Sequence, residues 1–278
     1  MPIGEKFFKQ GGVAMTTNLD RNSGLSSVRN SIRIMKSFSI SQPSRRVTDI
    51  AKELGLAKST VSRLVSTLAS EGFLEKDPET LEYRLGLGVL ALSGVLTHHL
   101  EIHKEAAPVL TNVVATTKET AHIAILDGFE TVYIDKEEGV HQAKMKTYLG
   151  KRNPTHAVSS GKVLLAFSSE EFIDAYIENG LSGFASCTIT DPDKLKNVLK
   201  RIRVDDYALS YAEFSDDIAS IAAPIRDYTG KVVAAITVVG NGKGIMSGRM
   251  NQIIRVVKEA ANEASERLGY DERYYRKK

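Results

Sequence analysis

Apolar positions between residues 47 and 68 recur at helical spacing twice in close succession. Ile50, Ala51 and Leu54 predict a short first helix, starting at Thr48, whose hydroxyl can cap the free amides of the first turn. Gly55 follows the last apolar position, where a left-handed helix end costs glycine least. Val61, Leu64, Val65 and Leu68 then form one apolar stripe on a second helix. Ahead of this pair, Val28, Ile32, Met35 and Phe38 predict another helix on the same core. Behind it, residues 72–76 and 82–85 read as two short strands around Asp77-Pro78-Glu79-Thr80, a type I turn pattern. Three helices and a hairpin make a winged helix-turn-helix over residues 25–85.

Residues 85–100 are apolar nearly all round if helical, so this linker helix (86–101) must be buried on more than one side. Packing on a neighbouring domain and on a second chain would do so, which predicts a homodimer. Gly86, Gly88 and Gly94 weaken that helix and permit bending. A helix over 102–117 follows, then strands over 121–126, 131–136 and 143–149, the first two joined by a four-residue loop at Asp127-Gly128. Helices over 160–167, 169–179 and 193–204 precede strands over 207–213, 218–226 and 231–240, with a turn at 227–230. A flexible glycine-rich connection at 240–244 leads to a closing amphipathic helix, 247–268. This order predicts an α+β sensor-like domain over 102–270, not a doubly wound dinucleotide fold.

A chain of 278 residues accommodates both domains, and 42% apolar with 26% charged residues is ordinary for a globular protein. No apolar run is long enough to span a bilayer, so no membrane partner is expected. Cys187 is the sole cysteine, so no internal disulfide can form, in agreement with a reducing, cytoplasmic setting. Residues 1–24 lack the apolar stretch of a secretory signal and read as a disordered arm or extension, with Met15 an alternative start; 271–278 form a basic tail.

Charge sharpens the picture. Residues 21–70 hold nine Lys or Arg against Asp49 and Glu53, a net +7 in a chain whose total is +3. With residues 1–20 neutral, residues 71–278 carry −4, so a basic lobe joins a mildly acidic body, which fits phosphate binding, although a basic face can also serve solubility alone. Lys58, Ser59, Thr60, Ser62 and Arg63 occupy the polar side of the second helix, the part of a recognition helix that meets base edges of double-stranded DNA. Arg45, Arg46 and the wing residues Lys76 and Arg84 are placed to meet phosphates.

Little else in the chain suggests chemistry. His99 and His103 form an i, i+4 pair beside His98 without a nearby third ligand, so no metal site is expected. The glycines at 240–244 lack the spacing of a phosphate loop, and no cofactor is expected. His122, His141, His156 and Cys187 show no nucleophile–base spacing, so the chain is not read as an enzyme. Two other readings remain open: an enzyme with a DNA-binding appendage, and an architectural DNA binder without an effector.

From residue 25 to 268 the chain resembles an IclR-family transcriptional regulator. Beyond the helix-turn-helix, the resemblance rests on Asn153-Pro154-Thr155-His156-Ala157-Val158-Ser159-Ser160-Gly161-Lys162 with the following Val163-Leu164-Leu165-Ala166, on Glu213 followed by residues 218–225, and on residues 232–240. It implies a GAF/PAS-like effector-binding domain for small organic molecules, often carboxylates or aromatic acids. It also implies dimers, or dimers of dimers, on palindromic operators. By motif position it places Ser159, Ser160, Ser210, Ser220, Thr237 and Val239 in the effector pocket. The residues agree in part: Ser159 and Ser160 precede a helix, whose free amides favour an anion, and Thr237 and Val239 share one strand face. Each serine reads equally well as a turn or strand hydroxyl. Glu213 reads rather as an ion-pair partner, and His156 as a residue that holds its loop by hydrogen bonds. The chain departs from the family in lacking a cysteine near Ser220, in Asp217 for a glycine and in Val239 for a common serine. Val239 offers one donor fewer, which argues against a glyoxylate-sized, highly polar ligand.

Overall fold

The computed structural model describes residues 25–99, 101–141 and 147–271. The arm 1–24, nearly all of the basic tail and most of the strand predicted at 143–149 lie outside the described residues. The chain divides into two compact units, Met1–His99 and Leu100–Lys278.

The first unit runs α1 (Ser26–Lys36), β1 (Ser44–Arg45), α2 (Val47–Leu54), α3 (Lys58–Ser70), β2 (Leu74–Lys76), β3 (Tyr83–Leu85) and α4 (Leu87–His99). Its strands form an antiparallel sheet in the order β1-β3-β2. Ile34, Ile50, Val61, Val65, Leu74 and Tyr83 bury their side chains in one core, so the α3 stripe faces inward as its spacing predicts. Gly55 ends α2 at φ 65°, the left-handed conformation. Asp77 closes the wing turn by accepting from the amides of Glu79 (2.9 Å) and Thr80 (2.8 Å).

Three local expectations change here. Helix α2 begins at Val47, one residue early, and its start carries no side-chain cap; Thr48 lies inside the first turn with its hydroxyl toward Asp49. Ile34 is the buried residue of α1, whereas Val28 and Ile32 are 54% and 44% exposed. The two-residue β1 was too short to leave a periodic signal. Helix α4 is indeed apolar nearly all round, and within the single chain it leaves Leu87, Leu90, Leu92, Val95 and Leu96 exposed.

The second unit opens with α5 (Glu101–Thr117), β4 (Thr120–Asp127) and β5 (Glu130–Glu137), then β6 (Arg152–Pro154), a 3-10 turn (Thr155–Ala157) and α6 (Ser159–Ala166). It continues through α7 (Glu170–Glu178), α8 (Pro192–Asp205), β7 (Ala208–Tyr211), β8 (Ile218–Arg226), β9 (Val232–Asn241), α9 (Gly242–Met246) and α10 (Met250–Arg267). The strands build one antiparallel sheet, β6-β5-β4-β9-β8-β7. Both faces are covered. Ala219, Ile221 and Ala223 of β8 with Ala234, Ile236 and Val238 of β9 pack in one core with α5 and α10. The alternate positions, Ala222 and Ala235 among them, face the helices α6 to α8.

Side-chain caps from Ser169 and Asp191 start α7 and α8, each within one residue of the predicted start. The β4–β5 connection is the two residues Gly128 and Phe129, with Gly128 at φ 59° and Asp127 paired to Glu130, not a four-residue loop. Residues 147–149 are not a strand; the sheet edge is β6 instead. The glycines at 240–244 do not form a loose connection: β9 runs on to Asn241, whose side chain caps α9 by accepting from the Lys243 amide at 3.0 Å. Among the described residues no helix is long and apolar enough to cross a membrane.

Candidate functional site

On α3, Lys58, Ser59, Thr60, Ser62 and Arg63 are all exposed, opposite the buried Val61, Val65 and Leu68. The Ala57 position ahead of the helix offers no side-chain cap. Among the described residues none of the five side chains forms a hydrogen bond or ion pair, so their donors and acceptors are free for a ligand. Elsewhere in this unit the cations are partly committed. Arg84 makes a bidentate pair with Glu75 (2.8 and 3.1 Å), and its hydrogen bonds, reinforced by its charge, hold the Glu75 carboxyl below the usual range. Arg46 pairs with Glu82 at 3.2 Å, and Lys76 lies over the Tyr83 ring. All three remain on the surface, where exchange of such a pair for a phosphate costs little.

Arg45 is different, and the phosphate contact expected of it does not fit the structure. Its side chain is only 7% exposed; it donates to the Ser37 carbonyl at 2.9 Å and pairs with Glu53. It therefore ties β1 to α2 from within, and reaching a phosphate would break both bonds. Arg33 is likewise used internally, donating to the Leu54 carbonyl at 3.1 Å.

In the second unit the six residues expected in the pocket come together at the N-terminus of α6. Ser159 donates to Ser220 Oγ at 2.8 Å and lies 3.1 Å from Thr237 Oγ1. Thr237 also lies within bonding distance of the Ile221 carbonyl, and Ser210 donates to the Ala157 carbonyl, each at 3.1 Å. Strand register explains the convergence: Ser210 pairs with Ser220, and Ser220 with Val239, in a row across β7, β8 and β9. All six are buried, including Ser160 and Val239. Gly161 permits this close seat, because a Cβ there would stand 2.1 Å from the Thr155 carbonyl oxygen.

Behind the serines, Lys162 is buried and donates to the Leu209 carbonyl at 2.8 Å and to the Glu213 carboxylate. Burial lowers the Lys162 pKa and raises that of Glu213, each against the pull of its partner. Glu213 is thus the ion-pair residue that its position suggests. His156 holds its loop: its Nε2 faces the Ser182 carbonyl (2.9 Å) and must donate, so Nδ1 accepts from the Tyr176 hydroxyl (2.7 Å).

Two further residues of this face, His122 and Tyr133, escaped the sequence reading as binding candidates. His122 is fully buried, its Nε2 2.8 Å from Thr147 Oγ1 and its ring stacked on Tyr133 at 4.2 Å. Burial, aided by Lys136 and Lys151, pushes its pKa down to about 3; burial pushes Tyr133 up to about 12. The available signal was a histidine flanked by Ala121 and Ile123 in a strand with two covered faces. Among the described residues no three metal-binding side chains cluster, and His103 pairs with Asp135 at 3.0 Å. The side chains of His98 and His99 lie outside the described set.

Comparison with known proteins covers both units. The IclR helix-turn-helix domain model matches residues 27–78, and the model for the bacterial transcriptional regulator IclR C-terminal matches residues 95–266. The chain is 32% identical to the HTH-type transcriptional regulator KipR of Bacillus subtilis, over 82% of this chain and 92% of that one. It resembles the crystal structure of a Thermotoga maritima IclR with TM-score 0.74 and 28% identity, over 88% and 99% of the two chains. An IclR homologue from Microbacterium hydrocarbonoxydans, crystallised with 4-hydroxybenzoate, matches with TM-score 0.78 and 25% identity, over 87% and 99%. With a recognition helix in one unit and a polar, helix-capped sheet face in the other, both inside matched segments, this chain belongs to the IclR family of transcriptional regulators.

Proposed function

We propose that this regulator binds a palindromic operator as a dimer or dimer of dimers, and that a small organic acid tunes its affinity. The observation that carries the DNA reading is the row of five exposed, unpaired side chains on α3. Lys58, Ser59, Thr60, Ser62 and Arg63 enter the major groove; Arg46, Lys76 and Arg84 steady the protein on phosphates. The exposed apolar residues of α4 support a second copy, since a single chain leaves them in water. A two-fold dimer then reads half-sites about 10 bp, or a multiple, apart.

The acid lies at the N-terminus of α6, where the free amides and the hydroxyls of Ser159 and Ser160 favour a carboxylate. Ser210, Ser220, Thr237 and Val239 form the floor. The 4-hydroxybenzoate held by the Microbacterium homologue supports an aromatic acid of that kind. The ligand need only bind two conformations of its unit unequally to shift DNA affinity. The protein works in the cytoplasm, as a regulator rather than an enzyme.

The test is fluorescence anisotropy on duplexes selected from a random library, with and without aromatic and aliphatic acids. Tight binding to an inverted repeat, changed severalfold by an acid that also raises the melting temperature, is the expected result. Sequence-blind binding that no bound acid alters would leave an architectural DNA binder as the better description.

A further inference from the structure

We infer that His122 reads a second functional group of the effector, and that the effector is a hydroxy acid with its carboxylate at α6 and its hydroxyl on His122 Nδ1. The inference rests on the proposed effector site and adds to it a residue and a ligand class. His122 on β4 is the cross-strand partner of Thr237 on β9, and Thr237 contacts Ser159. Side chains so paired stand about 5 Å apart on the same face. The imidazole is therefore one strand from the hydroxyl cluster at the helix N-terminus.

One unmatched atom stands beside that cluster. His122 Nδ1, at its β4 end, is buried and has no hydrogen-bond partner among the described residues. Buried polar atoms are nearly always paired, because an unpaired one forfeits its hydration without return. Such an atom beside the hydroxyl cluster calls for a ligand whose carboxylate is joined by a second polar group.

That second group is a hydroxyl for a chemical reason. One imidazole nitrogen is engaged by the Thr147 hydroxyl, which can donate or accept. Nδ1 is accordingly a lone pair or an N–H, depending on tautomer, and a hydroxyl satisfies either. A second carboxylate only accepts, and a methyl group does neither. The ring is also held in place. Tyr133 stacks on its face, and Lys136 anchors the Thr147 backbone by donating to its carbonyl at 2.7 Å. A ring fixed in this way presents Nδ1 in one direction, as a specificity contact must.

The experiment is isothermal titration of the full chain with matched acids: 4-hydroxybenzoate against benzoate, and lactate against propionate. The wild-type protein should bind the hydroxylated member of at least one pair roughly tenfold more tightly or better. His122→Phe keeps the stacked ring and removes Nδ1; it should reduce that preference to about twofold or less while leaving the deoxy acid's affinity in place. Ser159→Ala should weaken both members. If His122→Phe does not fold, imidazole 15N NMR of the wild type decides: the His122 Nδ1 resonance should move with the hydroxy acid and not with its partner. Acids that bind without any preference for the hydroxyl, or a preference that survives His122→Phe, would overturn the assignment of His122 and leave the effector site standing. No binding by any of the four acids would overturn both.

Discussion

The two units carry their chemistry on opposite sides of their own cores. In the first, the candidate site is outside: α3 turns its apolar stripe inward and leaves Lys58 and Arg63 exposed, without partners among the described residues. In the second, the proposed site is inside: Ser159, Ser220, Thr237 and His122 are buried on the sheet face toward α6, and Lys162 and Glu213 form an ion pair behind them. An exposed charge contributes little to folding and is available for binding, whereas a buried one is bound up with the fold. Substitutions should therefore separate cleanly: those on α3 cost DNA affinity without stability, and those around α6 cost stability first.

The largest expected effect tests the buried side. Lys162→Met strands the Glu213 carboxylate and should cost the second unit about 3–5 kcal/mol in urea unfolding. Adding Glu213→Leu should restore most of it. An unchanged midpoint for Lys162→Met would mean that the ion pair is not locked in the core. On the exposed side, Arg63→Ala should cost about 1–3 kcal/mol of operator affinity and relax one base position, at unchanged melting temperature. Equal losses on operator and random duplex would make Arg63 a phosphate contact.

Acid pH provides a third separation. The His122 pKa is depressed from 6.5 to about 3, chiefly by burial. The unfolded chain takes up this proton as pH falls through about 6.5, and the folded protein does not until near 3. The contribution is therefore complete above the unfolded pKa and is lost as pH falls, about 2 kcal/mol by pH 5. His122→Phe should flatten this slope in melts between pH 7 and pH 5. The smallest effect expected is that of Arg46→Ala or Arg84→Ala, which should weaken all DNA sequences evenly and lower the salt slope by about 1. Arg45→Met sharpens the comparison from within the first unit. It should destabilise that unit by about 1–2 kcal/mol, from the lost bond to the Ser37 carbonyl and the changed packing of its buried stem.

The same contrast explains what the sequence disclosed. The α3 stripe, the Gly55 helix end and β8 from Ile218 to Arg226 were legible because each is set by local spacing and turn chemistry. Helix α1 was read only in part: Met35 and Phe38 pack against the core as their spacing suggests, whereas Val28 and Ile32 are exposed and the fully buried residue is Ile34, which only tertiary packing selects. Arg45 was misjudged because its partners, Ser37 and Glu53, lie eight residues away on either side. His122 went unrecognised as a binding candidate because its relation to Thr237 is a matter of strand register across more than 100 residues, which periodicity does not encode. Ser159 and Ser160 were found through a resemblance; physical reasoning added only that a helix begins there.

Whether α3 reads sequence on a two-fold DNA site is decided by selecting bound duplexes from a random library with the whole chain and sequencing them. The expected result is enrichment of an inverted repeat whose half-sites lie about 10 bp or a multiple apart, with Arg63→Ala losing the consensus at one position in each half. A bound pool no richer in any sequence than the input would contradict it.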